Sequence, residues 1–272
     1  MSDKGGIIMS VQKRSDEFKK WIKESDIIDI DVWWDPAFEQ GFVTYQDFDK
    51  QMADYYELGL KKCIVTNKLS VSRDAVDGNA ELAEMIKDKE NMYGCMVVVP
   101  EMGYEDDKGE AYVQGLLDQG FVAARIFPKT YIHSMQEYAI GPILDTLEKL
   151  DVPLMLWHTE ATWDDMDRIC TNHPNLKVIV ESHDRKLLYH ARDYVGLMRK
   201  HKNFFVETHN LVLFNDIETI NKYCGCDQLL YGSYYPYMTP YFSLYPVMQA
   251  VIPEEDIQKI IAGNAKRIFK ID

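Results

Sequence analysis

The sequence predicts an α/β protein folded as a (β/α)8 TIM barrel. Eight short apolar or β-branched runs recur along the 272 residues, and amphipathic stretches of helical periodicity separate them. The runs are almost continuously apolar, which is typical of parallel strands buried on both faces. Strand–helix alternation of this kind indicates a parallel sheet, and eight units favour closure into a barrel over an open doubly wound sheet.

The predicted elements follow one another from the N-terminus without a break. Residues 1–25 form a helical extension, because Phe18, Trp21 and Ile22 fall on one face of a helix. Residues 26–272 form the single barrel domain. Its eight predicted strands are residues 27–33, 63–67, 93–100, 121–128, 152–159, 176–183, 204–210 and 228–235.

Amphipathic segments of helical spacing fill the intervals between these strands. After the first strand, Phe48, Met52 and Tyr55 recur at the spacing of one helical face. The later helical segments are residues 79–91, 110–120, 141–151, 163–175, 187–203, 216–225, 243–252 and 254–270.

The composition describes a globular protein with an acidic surface. The formal charge is −14 and the acidic residues are scattered, which disfavours nucleic acid and anionic membranes as partners. No apolar run is long enough to span a bilayer, and the N-terminus lacks the apolar stretch of a signal peptide. Five cysteines, an odd number without a CxxC pair, indicate reduced thiols. We therefore expect a cytoplasmic protein.

Several common catalytic motifs are missing from the sequence. It contains no G-x-G-x-x-G after a strand, no G-x-x-x-x-G-K-[ST], no G-x-S-x-G and no H-E-x-x-H. Nucleotide cofactors and a serine nucleophile are therefore disfavoured.

Titratable and aromatic side chains converge on the predicted carboxyl ends of the strands. In a (β/α)8 barrel, these ends and the loops after them form the face that carries the chemistry. Three of the seven histidines fall there, and burying such a cluster is costly unless it has a use. The candidate site residues, in chain order, are Asp31, Trp33, Arg125, His158, Glu160, His183, Glu207, His209 and Tyr234.

Four of these residues are predicted to be catalytic. His158 and His183 can act as general base or acid because imidazole titrates near neutral pH. Asp31 can orient a histidine, or act as the base if burial raises its pKa. Tyr234 can supply a proton or a hydrogen bond.

Four others are predicted to bind the substrate, namely Arg125, Trp33, Glu160 and His209. Arg125 is expected to clamp a carboxylate or stabilise a developing oxyanion. A buried guanidinium also needs an anionic partner, for which an interior carboxylate such as Glu207 is the natural choice. Trp33 is expected to line the wall of the pocket.

A series of short motifs extends over most of the predicted barrel. The stretches "GFVAARIFP", "VPLMLWHTE", "HPNLKVIVESHD" and "NFFVETHN" precede an eighth strand "LLYGSYYP" and a last helix "IIAGNAKRIF". Their order and spacing resemble the amidohydrolase superfamily, in its amidohydrolase-related branch (amidohydrolase 2), whose last two motifs read like -GSDYP- and -I-GNA-R-F-. The resemblance implies a barrel enzyme, either a metal-dependent hydrolase or a decarboxylase of aminocarboxymuconate semialdehyde or aromatic acids.

The resemblance also implies a metal site, from which this sequence departs. In the family, two histidines of I-D-x-H-x-H on strand one, a histidine on strand five and an aspartate on strand eight hold a divalent metal. Here Asp31 and Trp33 stand at the two strand-one positions, and Tyr234 stands at the aspartate position. His158 and His183 keep the family's residue type on strands five and six. The expected metal site is therefore degenerate.

No tightly bound catalytic metal is expected from these residues, because tryptophan cannot ligate a metal and a neutral tyrosine is a poor ligand. The alternative is a rearranged site in which Asp31, His158 and His209 hold a divalent ion, zinc or manganese. The choice between these two interpretations decides what chemistry is available.

The sequence favours an amidohydrolase-like enzyme that acts on a small carboxylated molecule. Hydrolysis of a lactone or a related bond and decarboxylation of an acid both remain open. A non-catalytic small-molecule binder of the same fold is an alternative, and so is a hydrolase with a rearranged metal site. We also expect a homodimer or a higher homo-oligomer, and the aromatic segment 234–246 is a candidate lid or interface.

Overall fold

Eight parallel strands form one sheet whose strand order follows the chain. The computed structural model describes residues 4–40, 43–104, 106–183, 187–211 and 215–272. The strands are β1 Ile28–Trp34, β2 Lys62–Asn67, β3 Met92–Val97, β4 Phe121–Arg125, β5 Leu154–Trp157, β6 Val178–Glu181, β7 Phe204–Glu207 and β8 Leu229–Leu230.

The sheet closes on itself between the first strand and the segment that follows the last. The Ile30 amide donates to the Tyr231 carbonyl at 3.1 Å, and the Trp33 amide donates to the Tyr235 carbonyl at 2.7 Å. Val32 and Tyr235 form a parallel bridge at the same place. Closure removes both sheet edges and confirms the predicted (β/α)8 TIM barrel.

Helices occupy the intervals between the strands. They are α1 Lys4–Glu24, α2 Phe48–Glu57, α3 Leu69–Ser72, α4 Ala75–Ile86, α5 Asp106–Leu117, α6 Glu137–Lys149, α7 Trp163–Asn172, α8 Ala191–Lys200, α9 Asp216–Cys224, α10 Pro240–Gln249, α11 Glu254–Gln258 and α12 Asn264–Phe269. Short additional turns are 3-10 helices at Pro100–Gly103 and Leu187–His190, a π-helical turn at Lys259–Gly263, and an antiparallel pair of Glu39–Gln40 with Val43–Thr44.

Local sequence signals set several of the helix starts. Asp47 and Asp74 accept backbone N–H groups at the starts of α2 and α4, and Thr162 forms a capping box with Asp165 at the start of α7. Each cap satisfies amide groups that have no partner within the helix, which stabilises a helix by about 1 kcal/mol. These caps fix where each helix begins after its preceding strand.

The barrel strands are buried on both faces, as their apolar sequences predict. Every residue of β1, β5, β6, β7 and β8 is buried. On the outside, α1 packs through Phe18, whose ring makes edge contacts with Tyr241 and Tyr245 of α10. The division into a helical extension and a barrel domain stays a prediction.

Among the helices of the described segments, none has both the length and the apolar character needed to cross a bilayer.

Candidate active site

The polar centre of the barrel is a buried group of charged side chains, which we call the ion cluster. Its members lie on β1, β4, β6 and β7 and in the segment directly after β7, and each is at most 1 % exposed. They are Asp31, Arg125, Glu181, Glu207 and His209.

Arg125 is the cation at the middle of the ion cluster. Its Nη2 donates to Asp31 Oδ1 at 2.7 Å and to Glu181 Oε1. Burial alone would lower the pKa of Arg125, but the charges of Glu181 and Asp31 outweigh it and raise that pKa above its usual value. The partners are interior carboxylates, as expected, but they are Asp31 and Glu181 and not Glu207, because the guanidinium reaches β1 and β6.

Glu207 and His209 form a second pair in the ion cluster. His209 Nδ1 shares a hydrogen bond with Glu207 Oε2, and the His209 amide donates to Glu207 Oε1. Burial raises the pKa of Glu207 despite the neighbouring imidazole. Burial opposes a charge on His209, yet Glu207 raises the pKa of that imidazole. Because both pKa values are raised, the Glu207–His209 pair retains the proton of its shared hydrogen bond.

Three side chains of the ion cluster have the geometry of a metal site. Single ligand atoms of Asp31, Glu207 and His209 all lie within 4.8 Å of one another. In the described part of the chain, Asp31 Oδ2 and His209 Nε2 have no hydrogen-bond partner, although Asp31 Oδ2 lies 3.5 Å from His209 Nδ1. His158, predicted as a possible third ligand, does not belong to this group.

Asp29 supports the ion cluster from below. Its Oδ1 accepts the amides of Asp31 at 3.2 Å and Ser233 at 3.0 Å, and its Oδ2 accepts the Tyr55 hydroxyl at 3.1 Å. Burial raises the pKa of Asp29 to about 7, although these hydrogen bonds act in the opposite direction. The side chain thus ties β1 to the segment after β8 and holds Asp31 in place.

Aromatic rings cover the ion cluster on the side of the strand ends. We call this group the mouth layer; its members are Trp33, Phe127, Trp157, His183 and Tyr234. Trp33 is 0 % exposed. Its indole donates to Asp31 Oδ1 at 2.8 Å, and its ring centroid lies 5.2 Å from that of Trp157. Trp33 therefore separates the ion cluster from the solvent side.

His183 and Tyr234 form the polar part of the mouth layer. The Tyr234 hydroxyl and His183 Nδ1 are 3.0 Å apart and share a hydrogen bond. The His183 ring stacks on Trp157 with centroids 3.5 Å apart. Tyr234 stacks on His209 at 5.0 Å, so its ring also contacts the ion cluster. Its φ of 58° is rare for a residue other than glycine, and such backbone conformations are common at functional sites.

His158 lies beside this pair but is held by the backbone. Its Nδ1 is 3.2 Å from the Glu181 carbonyl and 3.3 Å from the His183 amide nitrogen. Burial lowers the pKa of His158 to about 4. The imidazole is therefore neutral near pH 7, and its position helps to fix the loop that carries His183.

Glu160 and Lys68 lie at the rim of the barrel, by which we mean the loops that follow the strand ends. Glu160 accepts the Lys129 amide at 2.7 Å, so it joins the loops after β4 and β5. Lys68 directly follows β2, and its ammonium lies 5.5 Å from the Trp33 ring centroid and 5.3 Å from that of Trp157. Such cation–π contacts place a positive charge above the aromatic rings.

The structure brings the predicted strand ends together and places two further residues beside them, Glu181 and Lys68, which the sequence analysis did not single out. All eight residues predicted as catalytic or substrate-binding lie at the strand-end side of the barrel or just beneath it. Glu181 was missed, although a carboxylate that ends an apolar strand is itself a signal. Lys68 was missed because a lysine after a strand is common on a protein surface.

Known proteins resemble this chain in family and in fold. Residues 70–271 match the family model described as amidohydrolase. A dihydroxybenzoic acid decarboxylase from Polaromonas sp. JS666, solved with manganese and the inhibitor 2-nitroresorcinol, is 17% identical with a TM-score of 0.68, covering 90% of this chain and 97% of that chain. Comparison with curated proteins gives no match.

Two further solved structures share the fold. A 5-carboxyvanillate decarboxylase from Novosphingobium aromaticivorans, solved with manganese and 3-methoxy-4-hydroxy-5-nitrobenzoic acid, is 16% identical with a TM-score of 0.68, covering 92% of this chain and 98% of that chain. An uncharacterised TIM-barrel protein from Bordetella bronchiseptica is 14% identical with a TM-score of 0.66, covering 97% of this chain and 92% of that chain.

The family match confirms the resemblance inferred from the motifs, and with it the expectation of an enzyme of the hydrolase or lyase kind. The expectation that no metal cofactor is involved is wrong. Two structural neighbours were crystallised with manganese, and Asp31, Glu207 and His209 form a group that can hold a metal. The error arose because Glu207 was not considered as a ligand, so that Asp31 and His209 lacked the third side chain that the structure brings beside them. That the family's own site is degenerate stays a prediction.

Proposed function

Because the chain belongs to the amidohydrolase family, we propose that it is a decarboxylase-like enzyme for a small aromatic carboxylic acid. The observation that carries the proposal is the His183–Tyr234 hydrogen bond, which lies among aromatic rings at the mouth of the barrel. Structural neighbours that decarboxylate dihydroxybenzoate and carboxyvanillate support the same reaction class.

The mouth layer supplies the groups that would recognise such a substrate. Flat rings of Trp157, Phe127 and Tyr234 suit an aromatic ring, which packs well edge-to-face or offset-stacked. The ammonium of Lys68 above the indoles is the proposed contact for the substrate carboxylate. Arg125, predicted for that role, is 1 % exposed and pairs with Asp31 and Glu181, so its contact with substrate stays a prediction.

The reaction needs one proton for each molecule converted. When the bond between the ring carbon and the carboxylate breaks, carbon dioxide leaves and the electron pair stays on the ring carbon, which takes up a proton. His183 is proposed to donate this proton, and Tyr234 to hold the imidazole in position through Nδ1. The proton is then replaced from solvent, to which the rim gives access.

The ion cluster is the proposed place for a divalent metal. Asp31, Glu207 and His209 fit such an ion, because Asp31 Oδ2 accepts no hydrogen bond within the described residues, single ligand atoms of the three side chains lie within 4.8 Å of one another, and carboxylate and imidazole ligands suit manganese or zinc. When bound there, the metal would place a positive charge beneath the mouth layer, and that charge would stabilise negative charge that develops on a substrate above the rings. Glu181 and Arg125 would keep the neighbouring Asp31 oriented.

The function is tested by turnover of defined aromatic acids. Purified protein is incubated with 2,6-dihydroxybenzoate or 5-carboxyvanillate, with either manganese or a chelator, and release of carbon dioxide and the aromatic product are both followed. We expect turnover of at least one aromatic acid and its loss in His183→Gln. Turnover of lactones alone would overturn the decarboxylase proposal while leaving the family's hydrolytic chemistry, and equal turnover by His183→Gln would remove His183 from the reaction.

We further propose that the enzyme works in the cytoplasm as a homodimer or a higher homo-oligomer. The five cysteines are all free thiols, which supports a reducing compartment. Barrels of this kind commonly form symmetric assemblies. Light scattering coupled to size-exclusion chromatography measures the assembly, and a mass equal to one chain would contradict it.

A further inference from the structure

A second group of metal-binding side chain types lies at the opposite end of the barrel from the mouth. Asp145 and Glu148 stand on α6 near its C-terminus, and His173 directly follows α7. Because these helix ends lead back into the starts of β5 and β6, the group lies on the N-terminal face of the barrel. His173 is only 2 % exposed, whereas the Asp145 side chain is 73 % exposed. The site is therefore buried at His173 and open to solvent at Asp145.

The two ring nitrogens of His173 have different surroundings. Nε2 lies 2.9 Å from Glu137 Oε1, and the Asn172 side-chain Nδ2 donates to the other carboxylate oxygen of Glu137, Oε2, at 2.9 Å. Glu137 is therefore held in place as the acceptor of an Nε2–H. Nδ1 lies 3.3 Å from Asp145 Oδ1 and 3.6 Å from Glu148 Oε2, and it makes no hydrogen bond within the described residues.

This arrangement needs a cation between His173 Nδ1 and the two carboxylates. With Nε2–H donated to Glu137, the Nδ1 of a neutral imidazole carries a lone pair only 3.3 Å from Asp145 Oδ1 and 3.6 Å from Glu148 Oε2, which is repulsive. Either a second proton on Nδ1 or a metal ion removes the repulsion. No N–H···O hydrogen bond forms between Nδ1 and either carboxylate within the described residues, so a proton on Nδ1 would have no hydrogen-bond acceptor.

The contact with Glu137 points to the metal rather than the proton. Histidines that ligate metals almost always donate their other ring N–H to a carboxylate or carbonyl, which fixes the tautomer and makes the ligating nitrogen more basic. One ligand atom from each of Asp145, Glu148 and His173 lies within 4.8 Å of the others. We propose that these three side chains bind a zinc-class divalent transition-metal ion, whose remaining ligands are water.

A metal here would act on the stability of the barrel and not on its reaction. Glu148 Oε1 accepts the Asn175 amide at 2.7 Å, so Glu148 already joins α6 to the segment before β6. An ion shared by Glu148, Asp145 and His173 would reinforce the same connection. Because a metal that binds only the folded chain shifts the unfolding equilibrium, its binding raises the melting temperature.

Zinc titration of the whole protein tests the proposal. Chelator-treated wild type and the double variant Asp145→Asn, Glu148→Gln are titrated calorimetrically with zinc chloride. Both substitutions keep the side-chain shape at partly or fully exposed positions, so the fold should persist. Asp167→Asn is the matched control, because Asp167 is also a carboxylate beside a histidine, His201, but belongs to no three-residue metal-binding group among the described residues.

We expect wild type and Asp167→Asn to bind one more equivalent of zinc than the double variant, and to gain more in melting temperature. In wild type, the ¹⁵N resonance of His173 Nδ1 should shift when that equivalent binds. Equal zinc stoichiometry in wild type and the double variant would overturn the proposal. So would ¹⁵N shifts showing both nitrogens of His173 protonated and unaffected by zinc. Neither result depends on catalytic turnover, so failure here would leave the proposed reaction untouched.

Discussion

The ion cluster and the mouth layer are adjacent, yet they differ in what holds them. In the ion cluster, Asp31, Arg125 and Glu181 are at most 1 % exposed and bound by charge. In the mouth layer, ring stacking dominates, and side-chain hydrogen bonds join His183 to Tyr234 and Trp33 to Asp31. Under the proposed function, the charged layer would maintain the barrel and the aromatic layer would meet the substrate.

The largest effect on stability is expected from removing the cation of the ion cluster. Arg125→Met leaves the buried carboxylates of Asp31 and Glu181 without their partner and should cost about 3–5 kcal/mol of unfolding free energy. Urea denaturation measures the loss. Lys149→Met is the control, because its ion pair with Glu110 is on the surface and should contribute less than about 1 kcal/mol. A similar small loss for Arg125→Met would show that the ion cluster does not maintain the fold.

The largest effect on activity is expected in the mouth layer. His183→Gln should reduce turnover of an aromatic acid about 10²–10⁴-fold, as expected when a general acid is removed. Its unfolding free energy should stay within about 1 kcal/mol of the wild type. Tyr234→Phe removes the hydroxyl that positions His183 and should give a smaller loss of turnover with a changed pH profile. If His183→Gln lost as much unfolding free energy as Arg125→Met, the proposed division of roles between the two layers would be wrong.

Trp33 joins the two layers, so its replacement should have an intermediate effect. Trp33→Phe loses the hydrogen bond to Asp31 and leaves a space above Arg125, at a cost of about 1–3 kcal/mol. Trp157→Phe is the matched control, because the Trp157 indole N–H has no hydrogen-bond partner in the described residues and only volume is lost. Equal losses of unfolding free energy for the two variants would mean that the Trp33–Asp31 hydrogen bond does not contribute to stability.

At neutral pH the smallest effect on unfolding free energy is expected at His158, whose influence on stability appears only as the pH falls. Burial lowers the pKa of His158 to about 4 from an ordinary value of 6.5. As pH falls from 6.5 to 4, the unfolded chain takes up this proton before the folded chain does, so unfolding becomes more favourable. His158→Gln should flatten that part of the wild-type curve. Urea midpoints at several pH values in this window measure it, and parallel curves for the two proteins would contradict the lowered pKa.

The sequence was enough to predict the fold because the signals for it are local. Continuous apolar runs such as the one in β6 require burial on both faces, and eight of them leave few alternatives to a closed barrel. The strand-end rule then placed His158, His183 and Tyr234 on one face. These conclusions need only strand order and side-chain alternation, which single sequences carry.

Partner choice within the site could not be predicted in the same way. Arg125 pairs with Asp31 and Glu181 and not with Glu207, because the reach of a long side chain across the barrel depends on how the strands are staggered. The predicted set of metal ligands was wrong for the same reason, since only the folded barrel brings Glu207 and His209 close to Asp31. Sequence spacing within one strand says nothing about such distances.

The accessibility of His183 relative to His209 tests the two-layer account most directly. Carbethoxylation with diethyl pyrocarbonate, mapped by mass spectrometry, reports which imidazoles reagents can reach in the folded protein. We predict that His183 is modified and that His209 stays unmodified while the protein is folded. Modification of His209 as fast as that of His183 would contradict it, because the ion cluster would then be open to the substrate.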